Sequence, residues 1–195
     1  MVIGGNNAIT RPGVHSIDPS LDRVGLITID THFDLRDTAG GLLNGNPIQA
    51  LLDDGLKGQN IIQIGIAPFA NAAYMHRAAI DAGITVHTMA MCKQRGIGKI
   101  MTEALDQLAA HCDRIYVDFD IDAIERGLSP GAPGGRPGAL TTAEFFDAAR
   151  LVGAHRKVAC VDLCEFDPDL DVSDITALIA ARWFAEILAG FQQRT

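Results

Sequence analysis

Cysteine is scarce in this sequence: Cys92, Cys112, Cys160 and Cys164 are the only four in 195 residues. That is too few to staple a chain of this size. Cys160 and Cys164 also sit in an apolar run that reads as strand, where a thiol behaves as a small core group. Positive charge is short as well. Sixteen Lys and Arg face 24 Asp and Glu, a formal net charge of −8, which argues against nucleic acid or an anionic membrane surface as partner. No stretch reaches the roughly eighteen unbroken apolar residues of a membrane span. No basic segment followed by an apolar run opens the chain, so a secretory signal is not expected either. Two nucleotide signatures are missing. Gly96-Ile97-Gly98-Lys99 lacks the preceding glycine of a phosphate loop and continues with Ile100 where Ser or Thr is needed. No GxGxxG links a strand to a helix, and no G-x-S-x-G elbow is present. The expectation is a soluble, cytoplasmic, acidic globular protein.

What is present is apolar material for a core, 48% of residues, arranged in alternating short runs and longer amphipathic stretches. Residues 24–29, 61–66, 84–86, 115–117 and 158–163 read as strands. Their near-continuous hydrophobicity suits strands covered on both faces. Helices are expected over 47–54, 70–82, 97–111, 142–152 and 173–188, with Thr141 and Glu144 forming a capping box before the fourth. Alternation of this kind indicates an α/β fold of three layers, α/β/α, around a mainly parallel sheet. Val2-Ile3 reads as the end of a buried strand. The Pro/Gly-rich stretch from Ser129 to Gly138 follows an acidic cluster, which favours an active-site loop over a linker.

Two acidic constellations carry the chemistry. Asp30-Thr31-His32-Phe33-Asp34 follows the run VGLITI, and Asp118-Phe119-Asp120-Ile121-Asp122 follows Arg114-Ile115-Tyr116-Val117. Residues two apart in extended chain point the same way, and in open α/β sheets ligands bind beyond the carboxyl ends of the strands. Five carboxylates and an imidazole gathered there repel one another unless a cation neutralises them. Oxygen donors with one nitrogen suit Mn²⁺ or a similar divalent metal. The bland alternative is that these aspartates only cap the turns that follow. His15, His76, His87, His111 and His155 lack such company and read as surface or core residues. A DxD after a strand also marks phosphotransferases of the haloacid dehalogenase type. Those need Thr or Val two residues past the second Asp, where Asp122 or Ile124 stands here.

Taken in order, four segments resemble the ureohydrolases, the family of arginase, agmatinase and formimidoylglutamase. Gly4-Gly5-Asn6-Asn7-Ala8 is similar to the family's GGDHS turn, and Asp30 to Asp34 to its DAHxD motif. Asp118 to Asp122 with the following SPGAPGGRPGALT is similar to its SxDxD motif and PG-rich loop, and Glu165-Phe166-Asp167-Pro168 to its late ExxP. DTHFDLR, Asp30 to Arg36, looks most like the formimidoylglutamase version. The resemblance implies an arginase-like α/β/α domain over residues 1–195, without the N-terminal strands of its relatives, possible homo-oligomerisation and two Mn²⁺ ions per chain. Asp30 and Asp120 would bridge the metals, His32 and Asp122 would complete one site, and Asp34 would serve the other. The family's remaining ligand is the histidine of GGDHS, which falls on Asn7, a weaker donor through its amide oxygen. One metal site is therefore expected to be weakened.

The resemblance also implies hydrolysis of a C–N bond in a small amidino or formimino substrate by metal-activated water. Asp34 would hydrogen-bond that water and carry a proton to the departing nitrogen, and Glu165 would bind the cationic N–C–N head. Asn44 falls where agmatinases have a proton-shuttling histidine, and it cannot titrate. Arg36 and Arg136 are candidate carboxylate clamps, which points to N-formimidoyl-L-glutamate, giving glutamate and formamide. An agmatinase- or arginase-type guanidino hydrolase is one alternative. A non-catalytic homologue with an impaired metal site is the other, and metal stoichiometry separates it from an enzyme.

Overall fold

A computed structural model describes residues 1–194. Among them six strands form one sheet: β1 (Val2–Ile3), β2 (Val24–Ile29), β3 (Ile61–Ile66), β4 (Thr85–Thr88), β5 (Arg114–Asp120) and β6 (Val158–Cys164). Their spatial order is β1-β6-β5-β2-β3-β4 and every pairing is parallel. The sheet is thus wholly parallel among the described residues. Seven α-helices cover it: α1 (Thr10–Ile17), α2 (Pro47–Asp53), α3 (Ala73–Ala82), α4 (Met89–Arg95), α5 (Ile97–Ala109), α6 (Thr142–Ala154) and α7 (Ile175–Phe191).

Strand alternation builds two cores, one on each face. Ile27, Ile29, Val117, Phe119, Val161 and Leu163 pack against α4 to α7, with Phe119 edge-on to Phe145 and Trp183. Val24, Leu26, Ile61 and Tyr116 pack against Val14 of α1, Leu51 of α2 and Ala79 of α3. These are the three layers expected. Close approach of α6 and α7 depends on Gly153 and Gly190. A Cβ on Gly153 would stand 3.1 Å from Gly190 Cα, so a larger residue there would force the helices apart.

Several boundaries differ from the sequence expectation. β5 runs on to Asp120, carrying the first two aspartates of its motif within the strand. The helix expected from residue 70 begins at Ala73, because residues 67–72 form a loop in which Phe69 takes φ +60°. The helix expected from Ser173 begins at Ile175, after two left-handed residues, Ser173 and Asp174. Helices α1 and α4 were not legible. α1 contains Pro12 and Gly13, which weaken any helical pattern, but Gly13 is where Tyr116 packs too closely for a side chain. Thr141 and Glu144 form the capping box expected. No helix among the described residues is long and apolar enough to cross a membrane.

Candidate metal and substrate site

Beyond the carboxyl ends of β2 and β5, Asp30, His32 and Asp122 converge, with donor atoms all within 4.8 Å of one another. Asp30 and Asp122 are almost fully buried, and His32 is partly so. His32 Nδ1 lies 3.0 Å from Asp122 Oδ2 and 3.3 Å from Asp30 Oδ1. Asp30 Oδ1 also accepts the His32 main-chain N–H at 2.7 Å. The second oxygen of Asp122, Oδ1, accepts from Thr31 Oγ1 at 2.9 Å. Asp120 accepts the Asp122 N–H at 2.7 Å and so caps the short 3-10 turn at Ile121–Ala123. The capping role weighed from sequence is real for Asp120, and it coexists with a carboxylate facing the cavity.

Asp34 and Glu165 both hold left-handed backbone, φ +54° and +60°, uncommon for non-glycine residues and often tied to function. Both are tied to Asn7. Its Nδ2 donates to Asp34 Oδ2 at 2.6 Å, and its main-chain N–H donates to Glu165 Oε1 at 2.8 Å. The amide oxygen, the atom expected to face a cation, instead accepts from Thr10 Oγ1 at 2.7 Å. Turned the other way, Asn7 would set one acceptor oxygen against another.

His32, Asp34, Arg36, Asn44, Asp120, Asp122, Arg136 and Glu165 line one cavity of about 270 Å³. Of the residues assigned a role from sequence, all but Asp30 and Asn7 stand on its walls, and those two touch its lining. The Pro/Gly-rich loop forms one wall. At Gly134 a Cβ would run into the Asp122 carboxylate and stand 3.1 Å from His32 Cε1, so the loop approaches this closely only because the residue is glycine. Arg36 and Arg136 line the same cavity and are exposed, without an ion pair among the described residues.

Asp118, grouped with these carboxylates in the sequence, stands apart from them. It lies in register with Thr28 on one side and Asp162 on the other, fully buried in the sheet. Its Oδ1 accepts from Cys164 Sγ at 3.5 Å, and Asp162 accepts from Tyr116 at 2.6 Å.

The electrostatics of the convergent groups fit a divalent cation. Burial, then the charge of Asp122, push the Asp30 carboxyl up to about 7. Burial and neighbouring carboxylates raise Asp34 and Asp120 well above the usual range. Burial opposes charge on His32 too, but its hydrogen bonds to Asp122 and Asp30 outweigh that and push it up to about 11. One imidazolium is little counter-charge for four buried carboxylates. A hard or borderline divalent ion suits this oxygen-rich set with one nitrogen.

Residues 1–190 match the arginase family, and the chain belongs to it. It is similar to formimidoylglutamase of Bacillus subtilis (strain 168), 31% identical over 194 residues, covering 98% of this chain and 61% of that protein. The crystal structure of a formimidoylglutamase from Bacillus subtilis superimposes with a TM-score of 0.94 at 31% identity, over 98% of this chain and 60% of the other. A Trypanosoma cruzi formiminoglutamase solved with Mn²⁺ shares the fold, with a TM-score of 0.91 at 22% identity over 100% of this chain and 65% of that one. The chain thus spans about three-fifths of the length of these relatives.

Sequence reasoning missed Thr10, whose hydroxyl donates to the Asn7 amide oxygen, and Asn71 and Gln63, whose amides hydrogen-bond the Phe33 N–H and carbonyl. None belongs to a motif; each is found only once the fold brings it to the Asp30–Asp34 segment or to Asn7.

Proposed function

We propose that this arginase-family chain is an Mn²⁺-dependent hydrolase of linear amidines whose substrate is N-formimidoyl-L-glutamate, cleaved to glutamate and formamide. The observation that carries this is one cavity lined both by four carboxylates, Asp34, Asp120, Asp122 and Glu165, and by two exposed arginines, Arg36 and Arg136. A cationic formimino head and an acidic tail match those two sets of charges. The matched formimidoylglutamase supports the same substrate class.

Asp30, His32, Asp34, Asp120 and Asp122 would hold the metal. Bound there, two Mn²⁺ ions would supply Lewis acidity and make water a stronger acid near neutral pH. Asn7 sits against this set, but it can offer its oxygen only by giving up the Thr10 hydrogen bond, which weakens one of the two positions.

The chain's own residues divide the remaining work. Asp34 Oδ2 is taken by Asn7, leaving Oδ1 free to hold a proton and deliver it to the departing nitrogen. Glu165 Oε1 is likewise occupied by the Asn7 N–H, so Oε2 is the oxygen available to pair with the N–C–N head. Arg36 and Arg136 orient the substrate through its carboxylates, since a guanidinium fork matches a carboxylate in two parallel hydrogen bonds. Asn44 can only hydrogen-bond, which leaves proton transfer to Asp34.

Formamide release from N-formimidoyl-L-glutamate in the presence of Mn²⁺ tests the reading. Urea release from agmatine or a guanidino acid, with no formamide, would replace it with the guanidino hydrolase alternative. Binding of no Mn²⁺, with no product from any amidine, would leave a non-catalytic homologue.

A further inference from the structure

Past Ile29 the pairing between β2 and β3 runs out in stages. The Asp30 N–H still donates to the Ile64 carbonyl at 3.0 Å, and the Ala67 N–H to the Thr31 carbonyl at 3.1 Å. The Thr31 and His32 N–H groups turn to the carboxylates of Asp122 and Asp30, and the Phe33 N–H meets another side chain: Oδ1 of Asn71 accepts it at 2.9 Å. Nδ2 of the same amide turns back to the Thr31 carbonyl, also at 2.9 Å. One side chain therefore supplies the Phe33 N–H with its acceptor and the Thr31 carbonyl with a second donor, and it brackets His32 from both sides. Gln63 adds a third tie, with Nε2 donating to the Phe33 carbonyl at 3.0 Å.

The segment held in this way carries three of the proposed ligands, Asp30, His32 and Asp34. It ends in a left-handed residue, Asp34, which a free loop would not keep. Both braces are neutral amides. A carboxylate in their place would add to the repulsion already present, and an ammonium would compete with a cation for Asp30 and Asp34. Asn71 is half-buried and shares the wall of a neighbouring recess with His32, Asp34 and Arg36.

We infer that Asn71 is a positioning residue for the metal centre, its side-chain amide fixing the backbone on either side of His32 so that His32 and Asp34 present their donor atoms together. This rests on the Mn²⁺ reading above. Groups that orient metal ligands without touching the metal typically change affinity 10–100-fold when removed.

The test is Mn²⁺ titration of the full chain by calorimetry, with apo thermal melting alongside. Asn71→Ala is expected to keep a cooperative apo melt and to lose about 10-fold or more in Mn²⁺ affinity. Asn71→Asp keeps an acceptor for the Phe33 N–H and sets a carboxylate oxygen against the Thr31 carbonyl. An added negative charge near the site would by itself draw a cation in, so a fall in affinity for this isosteric variant would arise from geometry alone. That fall is the expected result, and it also serves if the alanine variant does not fold. Wild-type affinity in either folded variant overturns the inference while leaving the metal reading intact. A wild-type chain that binds no Mn²⁺ overturns both.

Discussion

The Asn7 amide nitrogen stands 2.6 Å from Asp34 Oδ2, while the main-chain N–H of the same residue stands 2.8 Å from Glu165 Oε1. One buried residue thus joins the proposed proton carrier to the proposed head-group binder, and it donates to one oxygen of each. Its own oxygen is held by Thr10. Asn7→His should put a stronger nitrogen donor at this position and tighten the weaker of the two proposed Mn²⁺ sites, read by calorimetry as a higher second-site affinity. It also removes the donor to Asp34, so the apo protein should melt lower than wild type. Unchanged stoichiometry and affinity would show that Asn7 is not at a metal position.

Metal removal should be visible in stability. Four buried carboxylates share one imidazolium, and a cation that binds only the folded chain stabilises it by mass action. With Mn²⁺ at a hundred times its dissociation constant the gain is about 2.7 kcal/mol, which for a chain of this length is a rise in Tm of roughly 5–10 °C. Chelator should return the melt to the apo value. A melting curve indifferent to both Mn²⁺ and chelator would remove the metal site.

The sign of the pH dependence follows from the same groups. Without metal, His32 is pushed up to about 11 and Asp30 to about 7, so at neutral pH the imidazole carries its proton and the carboxyl is partly protonated. Metal binding requires the deprotonated forms of both. Mn²⁺ uptake should therefore expel on the order of one proton or more, and affinity should rise with pH through neutrality. Calorimetry in two buffers of different ionisation enthalpy measures the released protons directly. Identical heats in the two buffers would contradict the proposed ligation by His32.

Much of this arrangement was readable from the sequence, for physical reasons that also show where reading stops. β2, β3 and β6 are apolar runs because both faces of the sheet are covered, and a buried parallel strand has little freedom to be anything else. The aspartates at the ends of β2 and β5 stand out because charge at the end of such a run needs a compensating partner. Strand alternation tells which face a residue occupies but not its depth. Asp118 and Asp120 share a face, yet they lie roughly 6–7 Å apart along the strand. Asp120 reaches the cavity, whereas Asp118 stays in the sheet beside Asp162. The braces were invisible for another reason. Asn71 is 38 residues from Phe33 and Thr10 is 152 from Asp162, to which it also reaches. Such contacts exist only after the chain has folded.

On the proposed substrate, specificity would rest on Arg36. Its side chain is exposed on the cavity rim, lines both the main cavity and the recess beside Asn71, and has no carboxylate partner among the described residues. A substrate carboxylate would be that partner. Hydrogen bonds to a charged group are worth about 1.5–3 kcal/mol, and the exposure of Arg36 argues against the larger values of a fully buried pair. Arg36→Ala should then lower kcat/KM for N-formimidoyl-L-glutamate by roughly 10- to 100-fold, each 1.4 kcal/mol being tenfold. Arg36→Lys should restore part of it, because an ammonium lacks the guanidinium fork. An amidine without a carboxylate should be turned over equally well by wild type and variant. Gly45 provides an independent check that leaves the charge in place. A Cβ there would stand 2.9 Å from both Cδ and Nε of Arg36, so Gly45→Ala should displace the guanidinium and raise KM for the acidic substrate. Equal losses on both substrates for Arg36→Ala would make Arg36 a support for the Asp34 segment and withdraw the clamp.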